Sequence, residues 1–249
     1  MRRAFPAAAI LALGVSVCWA DTLEDVEKKL VAAAEKLTSF QAKMRSVQDM
    51  AMGEVTNKSR IEGQYEYVRK DGKALYRMEA KTSGVIEMKG AEPQKMDGNT
   101  MVVCDGEYAY TYNEAMGQKM AFKMKSDPKM SVFVDKQFLS MLKKDHDLTL
   151  MPDEKIDGKD CWVVQAVPKK PEMIEKFVYY FQKETGIGLK TIGKDKAGKD
   201  ITVTELSDVK MNVTIPADRF VFKAPEGVTV QDMSKLAEDA KKSEEPEKP

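Results

Sequence analysis

The chemistry open to this chain is bounded by the reactive side chains it supplies. It holds one histidine, His146, with Asp145 and Asp147 beside it. Neighbours in sequence do not by themselves make a catalytic pair, and a histidine among solvated charges reads as a loop residue rather than a general base. No serine-centred nucleophile elbow, His-Glu-x-x-His helix or Cys-x-x-Cys pair occurs. One histidine leaves zinc chemistry poorly supplied. The stretch from Gly188 to Asp195 comes close to a phosphate-binding loop, but Asp195 stands where a hydroxyl would meet magnesium. That stretch also reads as a strand and turn, not a strand-to-helix junction. The paired carboxylates lie in charged turns. No enzyme activity and no cofactor are expected.

Sulfur and aromatic side chains remain. The chain has 17 methionines, among them the groups Met44, Met50, Met52 and Met116, Met120, Met124, Met130. Thioethers select copper(I), so a metal-binding protein is one reading. The other is that methionine fills adaptable apolar surfaces. Tyr108, Tyr110 and Tyr112 alternate with smaller residues after the turn signal Asp105-Gly106, and side chains two apart on a strand share a face. Tyr65 and Tyr67 share a face with Arg69, and Tyr76 shares one with Met78 on the return strand. Phe177, Tyr179 and Phe181 form a further stripe. Closed cores prefer aliphatic residues with fewer phenols to satisfy. So many rings on strand faces point to a large, partly open concave surface, with an ordinary aromatic core as the alternative. Cys104 and Cys161 lie in apolar strand contexts and read either as a disulfide or as two separate buried thiols.

The elements that must position these residues are mostly strands. Asp21 to Val47 reads as one amphipathic helix, with Leu23, Val26, Leu30, Val31, Ala34 and Leu37 in a stripe; Thr38-Ser39 offers an interruption, with a strand beginning near Phe40. Gly63 to Arg69 alternates, Lys70-Asp71-Gly72-Lys73 is a hairpin turn, and Leu75 to Lys81 returns. Val85 to Lys89, Thr100 to Cys104, Glu107 to Asn113 and Gln118 to Lys123 continue the meander. Asp127 to Lys144 changes to a helical period. Strands resume at Leu148 to Met151, Asp160 to Pro168, Lys176 to Lys183, Gly188 to Gly193, Ile201 to Asn212 and Arg219 to Lys223. Sequential short strands with turn signals predict one antiparallel sheet.

The first twenty residues read as an export signal. Arg2 and Arg3 precede an apolar run from Ala7 to Val17, too short to span a bilayer, and Cys18-Trp19-Ala20 suits cleavage after Ala20. Acylation at Cys18 is disfavoured by Val17, where a small residue is expected. Of 40 basic and 40 acidic residues, removal of Arg2 and Arg3 leaves 38 against 40, a net charge of −2. No basic field invites nucleic acid. The expected organisation is a signal peptide over 1–20, one domain over 21–233 and a charged, disordered tail over 234–249.

Four segments in this order resemble the periplasmic carriers that sort lipoproteins to the bacterial outer membrane, the LolA-like superfamily. They are Leu37-Thr38-Ser39-Phe40-Gln41-Ala42 after the first helix, the glycine-led strand Gly63 to Arg69, Val103-Cys104-Asp105-Gly106 with its tyrosine strand, and Phe220-Val221-Phe222-Lys223-Ala224-Pro225-Glu226-Gly227-Val228. The resemblance implies a mainly β fold with a helical lid: an unclosed, strongly curved antiparallel barrel, with an N-terminal and a mid-chain helix over its concave face. It implies a soluble periplasmic monomer that carries lipoprotein acyl chains, or a related lipid, between an inner-membrane release complex and an outer-membrane receptor. Arg69 matches the arginine that tethers the lid in the carriers, although Lys70-Asp71-Gly72 follows where Arg-Pro is common, so Lys70 is the alternative. The implied cavity wall is Tyr65, Tyr67, Tyr76, Met78, Tyr108, Tyr110 and Tyr112. An envelope sensor or interaction protein on the same fold is the other reading within the superfamily.

Overall fold

The computed structural model describes residues 21–126, 136–171 and 173–234. The expected signal peptide, the tail beyond Ser234 and the first part of the predicted mid-chain helix lie outside the described residues.

Helix α1 (Leu23–Lys36) starts from a reciprocal cap. The Thr22 hydroxyl accepts from the Asp25 amide at 3.2 Å, and the Asp25 carboxylate accepts from the Thr22 amide at 3.0 Å. Val26, Leu30 and Ala34 form its buried face. The helix does not continue to Val47. From Ser39 the pattern changes to a period of two, with Phe40, Ala42 and Ser46 buried while Lys43 and Arg45 are exposed, and β1 runs over Ser39–Met52.

The remaining strands are β2 (Val55–Lys70), β3 (Lys73–Met88), β4 (Gln94–Lys95), β5 (Gly98–Cys104), β6 (Tyr108–Ala115), β7 (Gln118–Lys125), β8 (His146–Ile156), β9 (Lys159–Pro168), β10 (Lys176–Gln182), β11 (Gly188–Lys194), β12 (Asp200–Met211) and β13 (Val230–Asp232), with α2 (Lys136–Asp145) between β7 and β8. They form one curved, unclosed sheet in the order β13-β7-β6-β5-β3-β2-β1-β12-β11-β10-β9-β8, with β4 paired to β3. Every described pairing is antiparallel except that of β13 with β7. The segment expected as a separate strand from Val85 is the continuation of β3.

Two sequence devices set the geometry. At the β2–β3 hairpin, Asp71 and Gly72 both take positive φ (51° and 74°), the turn whose twist suits a two-residue connection. That fixes the register, so Tyr67 faces Tyr76 and Tyr65 faces Met78. In mid-sheet, Gly63 faces Ala80 at a close approach: a Cβ on Gly63 would lie 2.1 Å from the Glu79 carbonyl oxygen and 2.7 Å from the Ala80 Cβ. Glycine here is what lets β2 and β3 coil inward together.

Both described helices lie on one face of the sheet. Val26 and Leu30 of α1 and Leu142 of α2 pack with Trp162, Val164 and Phe181 of β9 and β10. The Lys143 ammonium pairs with the Glu27 carboxylate between the helices. The other face carries the chain's return. Arg219–Lys223, expected as a strand, is instead a short 3-10 turn over Ala217–Phe220 followed by irregular backbone. Its alternating Phe220 and Phe222 serve contacts to the sheet rather than strand pairing: Phe220 is buried, and Phe222 stacks on Tyr110 at 5.1 Å. The segment ends by adding β13 to the edge of β7.

Candidate functional site

The concave, helix-bearing face has two zones. The first is a closed core at the α1–β1 junction. Phe40 stacks between Tyr65 (5.4 Å) and Tyr67 (5.6 Å), and Tyr65 stacks on Tyr76 (6.3 Å). All four are buried, together with Leu37 and Cys104. Burial and the neighbouring Tyr76 and Tyr67 push the Tyr65 phenol up. Tyr65, Tyr67 and Tyr76 are therefore core, not the open wall expected of them, because the Phe40 ring and Leu37 fill the space before them; Met78 is half-buried at its margin.

The second zone is the ladder Phe177, Tyr179 and Phe181 on β10, with successive rings 6.0 and 6.1 Å apart. Phe138 of α2 covers its inner end, edge-on to Tyr179 at 5.6 Å and to Phe181 at 6.5 Å. Burial raises the Tyr179 phenol to about 12. At the outer end the ladder opens into a cavity of about 680 Å³. Met50 of β1, Met173 and Ile174 of the β9–β10 connection, Phe177 and Pro168 supply apolar lining, and Lys144, Asp145, His146, Lys169 and Lys170 supply the polar part. A Cβ on Gly193 would meet Ile174 at 3.2 Å and Thr202 at 2.5 Å, so this glycine holds the floor low. Pairing across β1, β2 and β3 places Met44, Met50, Met52, Met78 and Met88 on the same face as these rings, and across β6 and β7 it adds Met120 and Met124. The concave face is rich in unbranched, adaptable side chains.

Tyr108, Tyr110 and Tyr112 are not part of it. Tyr76 pairs with Cys104 and Cys104 with Ala109, which puts the three tyrosines on the convex face with Arg77 and Val103. Their alternation shows that they share a face, but only the β3–β5 register decides which. There they meet the C-terminal segment: Phe222 on Tyr110, and Lys123 over Tyr108 at 4.7 Å beside its pair with Asp232 at 3.0 Å. The amide of Ser234 and the Lys123 ammonium hold the Asp232 carboxyl down at about 2.

Arg69 does share the face of Tyr65 and Tyr67, at the end of β2 beside the α1–β1 junction, where its amide donates to the Thr38 carbonyl at 2.7 Å. Among the described residues its side chain makes no hydrogen bond or ion pair, and Lys70 is exposed. A partly buried polar network that was not read from the sequence ties the C-terminal segment to the sheet. On the convex face Glu66 accepts from Arg219 Nε at 2.8 Å and from Gln41 Nε2 at 3.0 Å, Glu79 lies 3.6 Å from Arg219 Nη2 and pairs with Arg77, and Arg77 Nη1 donates to the Arg219 carbonyl at 3.0 Å. Glu66 is only 7% exposed. The sequence carries little signal for it, because Glu62, Gln64 and Glu66 alternate along β2 and nothing local shows that Glu66 is the one that is buried and needs a partner.

The cysteines do not pair. Both are buried free thiols with six strands between them in the sheet order, and each has local contacts: Cys104 Sγ with Ser126 Oγ at 3.2 Å, Cys161 Sγ with the Lys159 carbonyl at 3.5 Å. A disulfide needs Cα atoms within roughly 7 Å. Thiol labelling of denatured, non-reduced protein is expected to modify both cysteines, and an unlabelled pair that reacts only after reduction would contradict the structure. Among the described residues, no group of three or more His, Cys, Asp or Glu side chains could hold a metal ion.

No family model matches the chain. An uncharacterized protein of Methanocaldococcus jannaschii is 32% identical over 132 residues, 52% of this chain and 37% of that protein. The chain thus spans little more than a third of that relative's length. An uncharacterized conserved protein of Thermus thermophilus superposes with a TM-score of 0.50 at 11% identity, covering 84% of this chain and 98% of that one. MucB in the MucA/MucB complex of Pseudomonas aeruginosa gives 0.45 at 16%, covering 80% and 61%, and a LolA superfamily protein of Nitrosomonas europaea gives 0.30 at 12%, covering 82% and 99%. An unclosed, curved antiparallel sheet with an N-terminal and a mid-chain helix on its concave side is the architecture the four sequence segments implied. The fold is an unclosed antiparallel half-barrel with helices. In this half-barrel the helices cover the inner end of the β10 ladder and leave its Phe177 end open. No described helix is long and apolar enough to cross a membrane.

Proposed function

We propose that the chain is a periplasmic carrier that receives acyl chains of a lipoprotein or related lipid in the concave cavity at the Phe177 end of the ladder. The observation that supports this most is the cavity itself: about 680 Å³, lined by Met50, Met173, Ile174 and Phe177 and continuous with the ring ladder. The volume falls in the range of small-molecule sites. Burial of each methylene stabilises a bound chain by about 0.8 kcal/mol, so a dry enclosure is what an acyl chain needs in an aqueous compartment. Methionine walls adapt to chains of different length without a rigid complementary shape. Release then needs only a shift of the helices α1 and α2, which are joined to each other by polar contacts such as Glu27–Lys143.

On this reading residues 1–20 direct export and are removed, Arg69 acts at the α1–β1 junction as an aid to lid closure, and transfer involves a membrane-bound donor and an acceptor. The test is displacement of a fluorescent fatty acid. Wild type is expected to bind saturably, and Phe177→Asp is expected to weaken binding at least tenfold, because it places a charge in the apolar lining. Its melting temperature should stay near wild type, since Phe177 is only half-buried. Equal binding by both proteins would remove the cavity from the account.

A further inference from the structure

The polar part of the same cavity is strongly asymmetric in charge. Lys144, Lys169 and Lys170 stand against the single carboxylate of Asp145. Lys169 is engaged structurally. Its ammonium donates to the carbonyls of Lys143 and Lys144, at 3.1 and 2.9 Å, and so offsets the negative C-terminal end of α2. Lys144 and Lys170 are exposed and make no ion pair among the described residues. His146 lines the same cavity, its ring edge-on to Phe177 at 5.9 Å and its Nδ1 shielded from solvent without a hydrogen-bond partner among the described residues. A buried imidazole nitrogen that is unpaired is uncommon and asks for a ligand or water partner. The apolar lining comes from β1, β10, Pro168 at the end of β9 and residues 173–174, and the cations come from the end of α2 and from residues 169–170 of the same β9–β10 connection. An occupant therefore meets both hydrocarbon-compatible walls and ammonium groups in one cavity.

We infer that this cavity selects an amphiphile with an acyl tail and an anionic head, a carboxylate or a phosphate, with Lys144 and Lys170 as the head-group residues. The inference rests on the proposed acyl-chain binding and adds the chemical class of the head. Phosphate or carboxylate oxygens accept from the two ammonium groups, and the tail lies along Phe177, Ile174 and Met50. A neutral head gains none of this attraction and still displaces water from the lysines.

The test compares three probes of equal chain length on the purified protein: palmitate, palmitoyl lysophosphatidylglycerol and monopalmitoylglycerol, each displacing the same fluorescent probe below its micelle concentration. Both anionic probes are expected to bind at least tenfold more tightly than the neutral one. In Lys144→Gln/Lys170→Gln that preference should fall to within about twofold, with binding of the neutral probe unchanged. Raising salt should shrink the preference in wild type, because exposed charges are screened. Binding by palmitate alone, or by the lysophospholipid alone, assigns the head as carboxylate or phosphate and keeps the inference. Equal binding of charged and neutral probes, or a preference that survives the double substitution, overturns it while leaving acyl-chain binding intact. No binding of any probe removes the acyl-chain reading as well.

Discussion

Gly63→Ala is expected to destabilise the protein by at least about 3 kcal/mol, far more than an added methyl usually costs. The new Cβ would lie 2.1 Å from the Glu79 carbonyl oxygen and 2.7 Å from the Ala80 Cα. Both obstacles belong to the backbone of the partner strand, so no rotamer change relieves them. The strands β2 and β3 share the longest pairing in the sheet, from Val55↔Met88 to Lys70↔Lys73. Forcing them apart at Gly63 disturbs the coil that carries the Phe40–Tyr65–Tyr76 core. Gly188→Ala is the matched control, because its Cβ would make only ordinary contact with Phe181 at 3.7 Å. For a chain of this size, about 3 kcal/mol lowers the melting temperature by on the order of 10 °C. Calorimetry that shows the two variants melting together would refute the close-approach account of the curvature.

Glu66→Ala is expected to free the C-terminal segment from the convex face. The substitution leaves the Arg219 guanidinium without its 2.8 Å partner and the Gln41 amide without its acceptor. Removal of one member of a fully buried ion pair costs about 3–5 kcal/mol. Arg219 is 35% exposed, so solvent takes up part of that loss and about 2 kcal/mol is the better figure. That corresponds to roughly a thirtyfold rise in the open population. Hydrogen exchange over Val213–Asp232 reads it directly, and trypsin cleavage after Arg219 and Lys223 should accelerate in step. Glu66→Gln, which keeps an acceptor for Arg219, should fall between wild type and Glu66→Ala. Unchanged exchange in Glu66→Ala would mean that Phe220 burial and the Phe222–Tyr110 stack hold the segment alone.

The sheet was legible in the sequence because its turns are written in it. Asp71-Gly72 set the β2–β3 register and brought Tyr65, Tyr67, Tyr76 and Met78 to one face as expected. Two kinds of information were missing. Alternation identifies residues that share a face, not the face they share, and the long connection between β3 and β5 hides the register that sends Tyr108, Tyr110 and Tyr112 to the convex side. Phe40 was readable as either the last turn of a helix or the start of a strand, since an apolar residue at that position fits both periods; as the first inward residue of β1 it closes the space the tyrosines were expected to line. The stripe Phe177, Tyr179, Phe181 was legible as a stripe, but the cavity at its end is assembled from β1, the α2–β8 junction and the β9–β10 connection. Contacts between elements so far apart in sequence leave no local pattern to read.

The central claim is that the concave cavity holds acyl chains, and the most direct measurement is a native mass spectrum of the protein isolated from the envelope of cells that export it, followed by organic extraction of whatever is bound. The account predicts a population heavier than the apoprotein by the mass of an acylated molecule. That molecule should leave on extraction and be absent from Phe177→Asp prepared in the same way. Protein that carries no lipid mass from the envelope, and that takes none up when offered acylated peptide or palmitate in solution, would contradict it.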